Sequence, residues 1–422
     1  MGDPRRLWNR NFALLWQGQL VSQIGTQAYM IAMLFWIKHE TGSATLMGLV
    51  MMVSNLPAVL LGPLAGTFAD RHSRRAIIIT TDFLSGVCVL ALAWVMFLEP
   101  DVERVALPCL FTASVVLSIL AAFFRPAISA AIPDLVPRER VAAANSLSQI
   151  STQLATFAGQ GAGGVLFRLL GAPVLFLVDG ISYLVSALSE SFIAIPQPAR
   201  RANGGAAVRE FMRDTVEGFS FVWRSTGLRQ LFLAAVVISF FIEPIIVLLP
   251  FYVEDALGLQ SDWYGYLLAS LGVGALIGAV LAGSVPLRGQ LRAWSIGGAA
   301  VAMSLSFGAL GLAQHPLAAA AAMLLAGVLN GAVNVIVQTI VQLSTPAGMR
   351  GRVLGLLGTL ANGLVPIAMG LSGIVADLLD HQVRLIYVTC GAIAGVLCVA
   401  LLFGREIRGF LAYEPEAEPE TA

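Results

Sequence analysis

Apolar residues run through this chain in stretches of twenty or more, and polar positions fall mainly between the stretches. A run of that length matches a helix crossing a hydrocarbon core of about 30 Å, whereas a half-buried strand or surface helix would alternate. The pattern predicts twelve spans, over about 11–37, 44–69, 76–98, 105–124, 139–169, 172–195, 228–255, 263–285, 293–313, 316–343, 353–379 and 382–404. Most connections between them are short. The exception, 196–227, is rich in Pro, Gly and charge and leaves six spans on each side. The expected organisation is a six-helix bundle over 1–195, a linker over 196–227, a second bundle over 228–404 and a cytoplasmic acidic tail over 405–422, whose end "YEPEAEPETA" reads as disordered.

Composition agrees. The chain is 57% hydrophobic and 12% charged, about half the charge of a soluble domain. The fold class is therefore an all-α polytopic membrane protein built from two six-helix halves. Formal net charge is zero, so nothing points to nucleic acid. "MGDPRRLWNRN" leads into a span too long and too polar for a cleaved signal region, and it lacks the myristoylation pattern. The four cysteines (Cys88, Cys109, Cys390 and Cys398) lie in apolar runs without metal-ligand spacing, and the four histidines fall in loops. Neither a metal nor another cofactor is expected.

Charge does set orientation. With the N-terminus in the cytoplasm, all of the 25 basic residues except Lys38, Arg104, Arg168 and Arg384 fall on the cytoplasmic side of the twelve-span arrangement. A missed or extra span would scramble that partition. Both termini and the central linker are expected inside. The halves also echo each other. "FWIKHETGSATLMGLV" (35–50) and "FYVEDALGLQSDWYGYLL" (251–268) each end a helix on two aromatics and turn at a glycine, and "RERVAAANSL" (138–147) parallels "RGRVLGLLGTL" (350–360). Repeated halves place a substrate site at the midplane and suggest rocking of one half against the other.

The loop between spans 2 and 3, "GTFADRHSRR" (66–75), concentrates charge beyond what topology needs. It resembles the loop 2–3 signature of the major facilitator superfamily, Gly-x-x-x-Asp-Arg-x-Gly-Arg-Arg, with Ser73 where glycine is usual. "RNFALLWQGQLVSQIG", "FFRPAISAAIPDLVPRERVAAANSL", "LVDGISYLVSAL", "VLLPFYVEDALGL" and "MRGRVLGLLGTL" are similar to its drug and siderophore exporter branch, which includes macrolide efflux proteins and the enterobactin exporter. The resemblance implies a twelve-helix transporter with Asp70 facing the start of helix 11, near Gly351 and Arg352. A helix N-terminus attracts an anion and an arginine adds to that pull, so Gly66, Asp70, Arg71, Arg74, Arg75 and Arg352 form the expected conformational latch. The exporter motif of helix 5, Gly-Pro-x-x-Gly-Gly, survives as Gly159, Gly163 and Gly164 with Gln160 in place of proline. Close helix packing is expected there, without a proline kink.

Polar side chains recur every four residues in three spans: Gln19, Gln23 and Gln27 in helix 1; Asn145, Gln149 and Gln153 in helix 5; Asn330, Asn334, Gln338 and Gln342 in helix 10. That spacing puts each set on one face, and amides avoid lipid. They either line a cavity or hydrogen-bond between helices. Since the resemblance puts helices 1 and 10 at the central cavity, Gln19, Gln23, Gln27, Gln149, Gln153, Asn330, Asn334 and Gln338 are the expected cargo contacts. Phe240, its neighbour Phe241 and the methionines Met30, Met33, Met47, Met51 and Met52 are candidate apolar contacts.

Acids inside spans are functional candidates. Glu243 lies near the middle of helix 7, before Pro244, with no intramembrane Lys or Arg to pair with. It is the first candidate for proton coupling, ahead of Asp179 and Asp82. Asp82 and Glu190 are expected to approach the cytoplasmic interface. Exporters of this branch often carry an acid after the glycine of "SQIG", but here Thr26 and Gln27 follow Gly25. The implied activity is export of amphipathic small molecules, drug-like or siderophore-like, across a bacterial cytoplasmic membrane by a monomer, with protons as the coupling ion and membrane lipids around it. The alternative on the same fold is a lipid or lysophospholipid flippase, or a facilitator without coupling. A Walker loop would need Gly-Lys-Ser/Thr, and the one lysine, Lys38, precedes His39; no catalytic constellation is expected.

Overall fold

The computed structural model describes residues 8–98, 101–195, 213, 216–284, 287–346 and 349–413, with Pro63, Asp70, Arg350 and Gly351 described by backbone only. The described residues are helical and contain no strand. The helices are α1 Arg10–Thr41, α2 Ala44–Arg71, α3 Arg74–Phe97 and α4 Leu107–Leu135. A continuous stretch Val141–Ser191 follows, then α7 Thr226–Val247, α8 Asp262–Ser284, α9 Gly289–Ala309 and α10 Pro316–Ser344. The last spans are α11, in two segments Arg350–Gly363 and Val365–Leu378, and α12 Val383–Leu402, followed by a short helix α13 Arg405–Leu411.

Among the described residues, eleven helical stretches are long and apolar enough to cross a membrane, one of them the 54-residue Arg138–Ser191. At 1.5 Å per residue that stretch would be about 80 Å long, far beyond a bilayer. Gly171 breaks it with φ 75° and ψ 167°, and Pro173 follows. The break separates α5 (141–170) from α6 (172–191), which gives the twelve spans of the pattern. Only glycine takes that φ without strain.

Polar caps start many of these helices. Ser43, Ser73 and Ser225 accept from the backbone N–H of Leu46, Ala76 and Leu228, at the heads of α2, α3 and α7. Ser73, the departure from the family loop, thus has a local role: its hydroxyl caps α3. Gly42, at φ 63°, closes α1 by donating to Lys38 O.

Three expectations need correction. Helix 4 does not stop at 124; α4 runs to Leu135 with Pro126 and Pro133 inside it. Its 29 residues span about 44 Å, so it outruns the hydrocarbon core. The tail does not begin at 405, because α13 buries Ile407 and Leu411 against Val222, Leu228, Ile340 and Val353. The linker is shorter than 196–227, since residues 216–224 are helical and Val222 joins the same cluster. In both cases charge masked a short amphipathic element. Residues 414–422 lie outside the described residues.

The chain divides into two units, Met1–Arg209 with Leu259–Gly265, and Glu210–Gly258 with Tyr266–Ala422. In the first, α1 packs along both α5 and α6, while α3 packs on α4 and α6. Gly159 abuts Gln27 and Ile24, Gly163 abuts Ile31 and Gly164 abuts Ser261, so the glycines of helix 5 are contact points. In the second, Gly274 and Gly278 of α8 face Gly327 and Gly331 of α10, and a Cβ on any of the four would meet backbone within 3.0 Å. This small-xxx-small crossing replaces side-chain interdigitation with backbone contact.

Candidate functional site

Within the first unit, α6 carries Asp179, Ser182, Ser186 and Glu190 at spacings of three and four, so they share one stripe. They are 1%, 6%, 0% and 1% exposed. Thr26 Oγ1 of α1 donates to Asp179 Oδ1 at 3.3 Å, and Ser182 Oγ lies 3.4 Å from the same oxygen. Gln19 Nε2 donates to Glu190 Oε1 at 2.8 Å, with Ser186 Oγ 3.4 Å away. Asp82 of α3, 2% exposed, sits against Ser186 and within electrostatic reach of Glu190 and Asp179. Asp82 and Glu190 are therefore buried between helices rather than open to the surface. They turn inward because Gly18, Gly25, Gly86 and Gly180 let α1, α3 and α6 close together. A Cβ on Gly25 would lie 2.5 Å from Ser182 Oγ and 2.8 Å from Asp179 Oδ1. Single acids stood out in the sequence, but Glu190 ranked behind Glu243; the polar stripe of α6 was the signal that joins them.

The amides separate into two groups. Gln19 bonds Glu190, and Gln27 Oε1 accepts from Gln160 Nε2 at 3.1 Å, so both tie helices together. Gln23 is half-buried and its Oε1 has no partner. Gln149 and Gln153 are exposed. Met33, Met47 and Met51 are fully buried packing residues, not adaptable contacts.

The second unit contains a cavity of about 490 Å³. Apolar side chains of α7, α9, α10, α11 and α12 form most of its wall; Asn330, Asn334, Gln338 and Asn362 add amides, and Arg408 of α13 adds a cation. Gln338 Nε2 donates to Asn334 Oδ1 at 2.7 Å, which fixes both amides. Arg408 also lies 5.0 Å over the Trp294 ring. A concave apolar wall with few fixed polar groups can hold an amphipathic molecule. Glu243 and Phe240 are not in that wall. Glu243 is half-buried, one helical turn beyond the lining residue Ser239, and no hydrogen bond or ion pair reaches it among the described residues. Phe240 packs edge-on to Phe241 at 5.4 Å.

The charged loop is also subdivided. Arg74 forms an ion pair with Asp134 and donates to Ala130 O at 2.9 Å, both on the overhanging end of α4. Arg75 donates to Ser191 O at the end of α6. These two arginines staple α3 to its neighbours inside the first unit, which narrows the expected latch. Gly66 has open space around it and Arg71 is exposed, while Asp70 and Gly351 are described by backbone only. Arg352 pairs with Glu217 of the second unit at 2.5 Å. Among the described residues, no group of three or more His, Cys, Asp or Glu is arranged to hold a metal ion.

Comparison with known proteins fits this architecture. The chain is 26% identical over 276 residues to macrolide efflux protein A of Streptococcus pyogenes, covering 65% of this chain and 67% of that one. It is 27% identical over 366 residues to the multidrug efflux pump Tap of Mycolicibacterium fortuitum, covering 85% and 87%. Among solved structures, a bacterial homologue of the human lysosomal transporter Spinster, inward-facing and unoccupied, aligns with a TM-score of 0.67 at 16% identity over 95% of this chain and 96% of that one. A D-xylose–proton symporter aligns with a TM-score of 0.67 at 16% identity over 92% and 96%. The family model of the Major Facilitator Superfamily matches residues 15–369. Twelve spans and that match over most of the length make this chain a multi-pass membrane transporter of the major facilitator superfamily.

Proposed function

We propose that the chain is a secondary active exporter of amphipathic small molecules, drug-like or siderophore-like, driven by proton antiport across a bacterial cytoplasmic membrane. It works as a monomer by alternating access, with both termini and the central linker in the cytoplasm. The observation that carries this reading is the apolar cavity edged by Asn330, Asn334, Gln338 and Asn362, which suits a weakly polar cargo better than a small ion. Relatives named for macrolide and multidrug efflux support it. Gln149 and Gln153 extend the cargo path in the first unit. Asp70, Arg71 and Arg352 form the core of the latch. Glu243, Asp179 and Asp82 are the candidate proton carriers, Glu243 because it is an acid without a partner beside the cavity-lining turn of α7.

The second reading is a lipid or lysophospholipid flippase, or a facilitator without coupling. One observation favours it: Arg408 brings a cation to an otherwise uncharged cavity, as an anionic headgroup would require.

Proteoliposomes decide between them. Under an inside-acid gradient, lumenal pH is followed while a macrolide, a catecholate siderophore, ethidium or a lysophospholipid is added, with wild type beside Glu243→Gln. Cargo-dependent proton flux that the variant loses establishes antiport through Glu243. Cargo movement without proton flux, unchanged in the variant, supports the second reading.

A further inference from the structure

We propose that Asp82, Asp179 and Glu190 form a proton relay inside the first unit, running along the buried stripe of α6 between α1 and α3. The proposal rests on the proton-coupled reading above and assigns the path that reading leaves open.

The groups form two clusters on one stripe. From Asp179 to Glu190 the stripe rises by eleven residue steps of helix, about 16 Å or half a hydrocarbon core. Ser182 sits on Asp179 at one end and Ser186 between Asp82 and Glu190 at the other, with Asp82 and Asp179 within electrostatic reach of each other. Thr26 bridges the upper end, bonding both Asp179 and the Tyr183 hydroxyl, the latter at 3.0 Å. The titratable groups that face this seam are Tyr29 from α1, Asp82 and Cys88 from α3, and Asp179, Tyr183 and Glu190 from α6. No Lys, Arg or His pairs with any of the three acids among the described residues.

A further observation points to a mobile proton. Asp82 Oδ2, Asp179 Oδ2 and Glu190 Oε2 are buried without a hydrogen-bond partner. The hydroxyl of Tyr29, a residue 6% exposed beside Asp179, is buried with them, against Ser114. Orphaned carboxylate oxygens are costly in an apolar bundle. Three uncompensated negative charges there would be costlier still, and no metal-holding arrangement relieves them among the described residues. Protons relieve both deficits, since each one neutralises a carboxylate and adds a donor. A hop moves one proton from a carboxylic acid to a serine oxygen, which passes its own proton to the next carboxylate; no electron is transferred.

The test uses the full-length protein in lipid, in a Glu243→Gln background that removes the competing acid. Infrared difference spectra between acid and alkaline pH read the C=O stretch of protonated carboxyls without any cargo. The relay requires protonated-carboxyl bands that appear and vanish with pH. Asp179→Asn, Asp82→Asn and Glu190→Gln should each remove one band and shift the others, and Asp179→Glu should restore the first. Spectra with no titrating carboxyl, or bands indifferent to all three substitutions, overturn the relay even if the variants fold poorly, because the parent spectrum alone decides the first point. In the second arm, with Glu243 restored, pH-gradient-driven ethidium efflux should fall at least tenfold in each neutral variant while downhill ethidium exchange persists. Undiminished gradient-driven efflux in all three would also sink the relay. Titrating bands in a protein that moves neither ethidium nor protons would instead defeat the exporter reading and leave the buried acids as the finding.

Discussion

The seam of α1 with α6 in the first unit and that of α7 with α12 in the second hold corresponding places in the two six-helix halves, yet their buried polar groups differ in kind. In the second unit the buried tyrosine hydroxyls of the seam are satisfied, although Gln230 Oε1 of α7 and Arg384 Nε of α12 lack partners. Tyr387 donates to Ile245 O and Tyr252 to Leu310 O, each at 2.7 Å, and the two rings lie 5.0 Å apart. In the first unit the seam holds acids whose outer oxygens lack partners. Neutral groups with every bond made fix a structure; acids with bonds left over are suited to changing state. The cavity shows the opposite bias. The second unit has the amide-edged hollow, while the first spends Gln19 and Gln27 on binding its helices together. In the proposed transport reading one half holds charge and the other holds cargo.

The largest test of that contrast is Gly25→Val. The added side chain meets Ser182 and Asp179 at once, its Cβ alone 2.5 and 2.8 Å from their oxygens, so the cost lies above the ~3 kcal/mol upper end of ordinary overpacking. The expected outcome is loss of most monodisperse protein on size exclusion in detergent; a Tm within a degree or two of wild type would mean the acid seam is loosely packed. Next is Ile407→Ala, which leaves a void under α13 and should destabilise the second unit by about 2–4 kcal/mol. Its thermal unfolding should shift down while the carboxyl bands of the first unit stay unchanged, so a change in those bands would break the division of labour. Asn334→Leu removes an exposed amide and the acceptor of Gln338. Loss of one hydrogen bond to cargo, about 1 kcal/mol, should raise the KM for ethidium severalfold with kcat preserved, and an unchanged KM would remove α10 from the cargo path. Tyr387→Phe is the mildest. It leaves Ile245 O without its donor and should lower stability by about 1 kcal/mol without altering the pH dependence of transport.

Individual residues show where sequence reading reached and where it stopped. Gly171 and Pro173 already divided the longest apolar stretch into two spans, because φ preference is local. Asn330, Asn334 and Gln338 were legible as one polar face, since a period of four survives in any helix. Arg74 reads in the sequence as a topology signal and latch residue, but its partner Asp134 lies on the part of α4 beyond residue 124 and so was not legible there. Asp82 and Glu190 were assigned to the interface by distance along their helices, a measure blind to rotation about the axis. Gln19 and Gln153 looked alike, yet one is bonded across a seam and the other is exposed.

The sequence by itself determined the membrane, the number of spans and the family. Those follow from run length, from local glycine and proline geometry and from a short charged loop, none of which needs a partner helix. Only the tertiary structure decided which acids meet and which amides remain open. It also folded α13 and the end of the linker into the second unit. Those outcomes depend on how glycine-lined helices rotate and close on one another, and burial, which decides whether a polar group is satisfied or orphaned, exists only after they have closed.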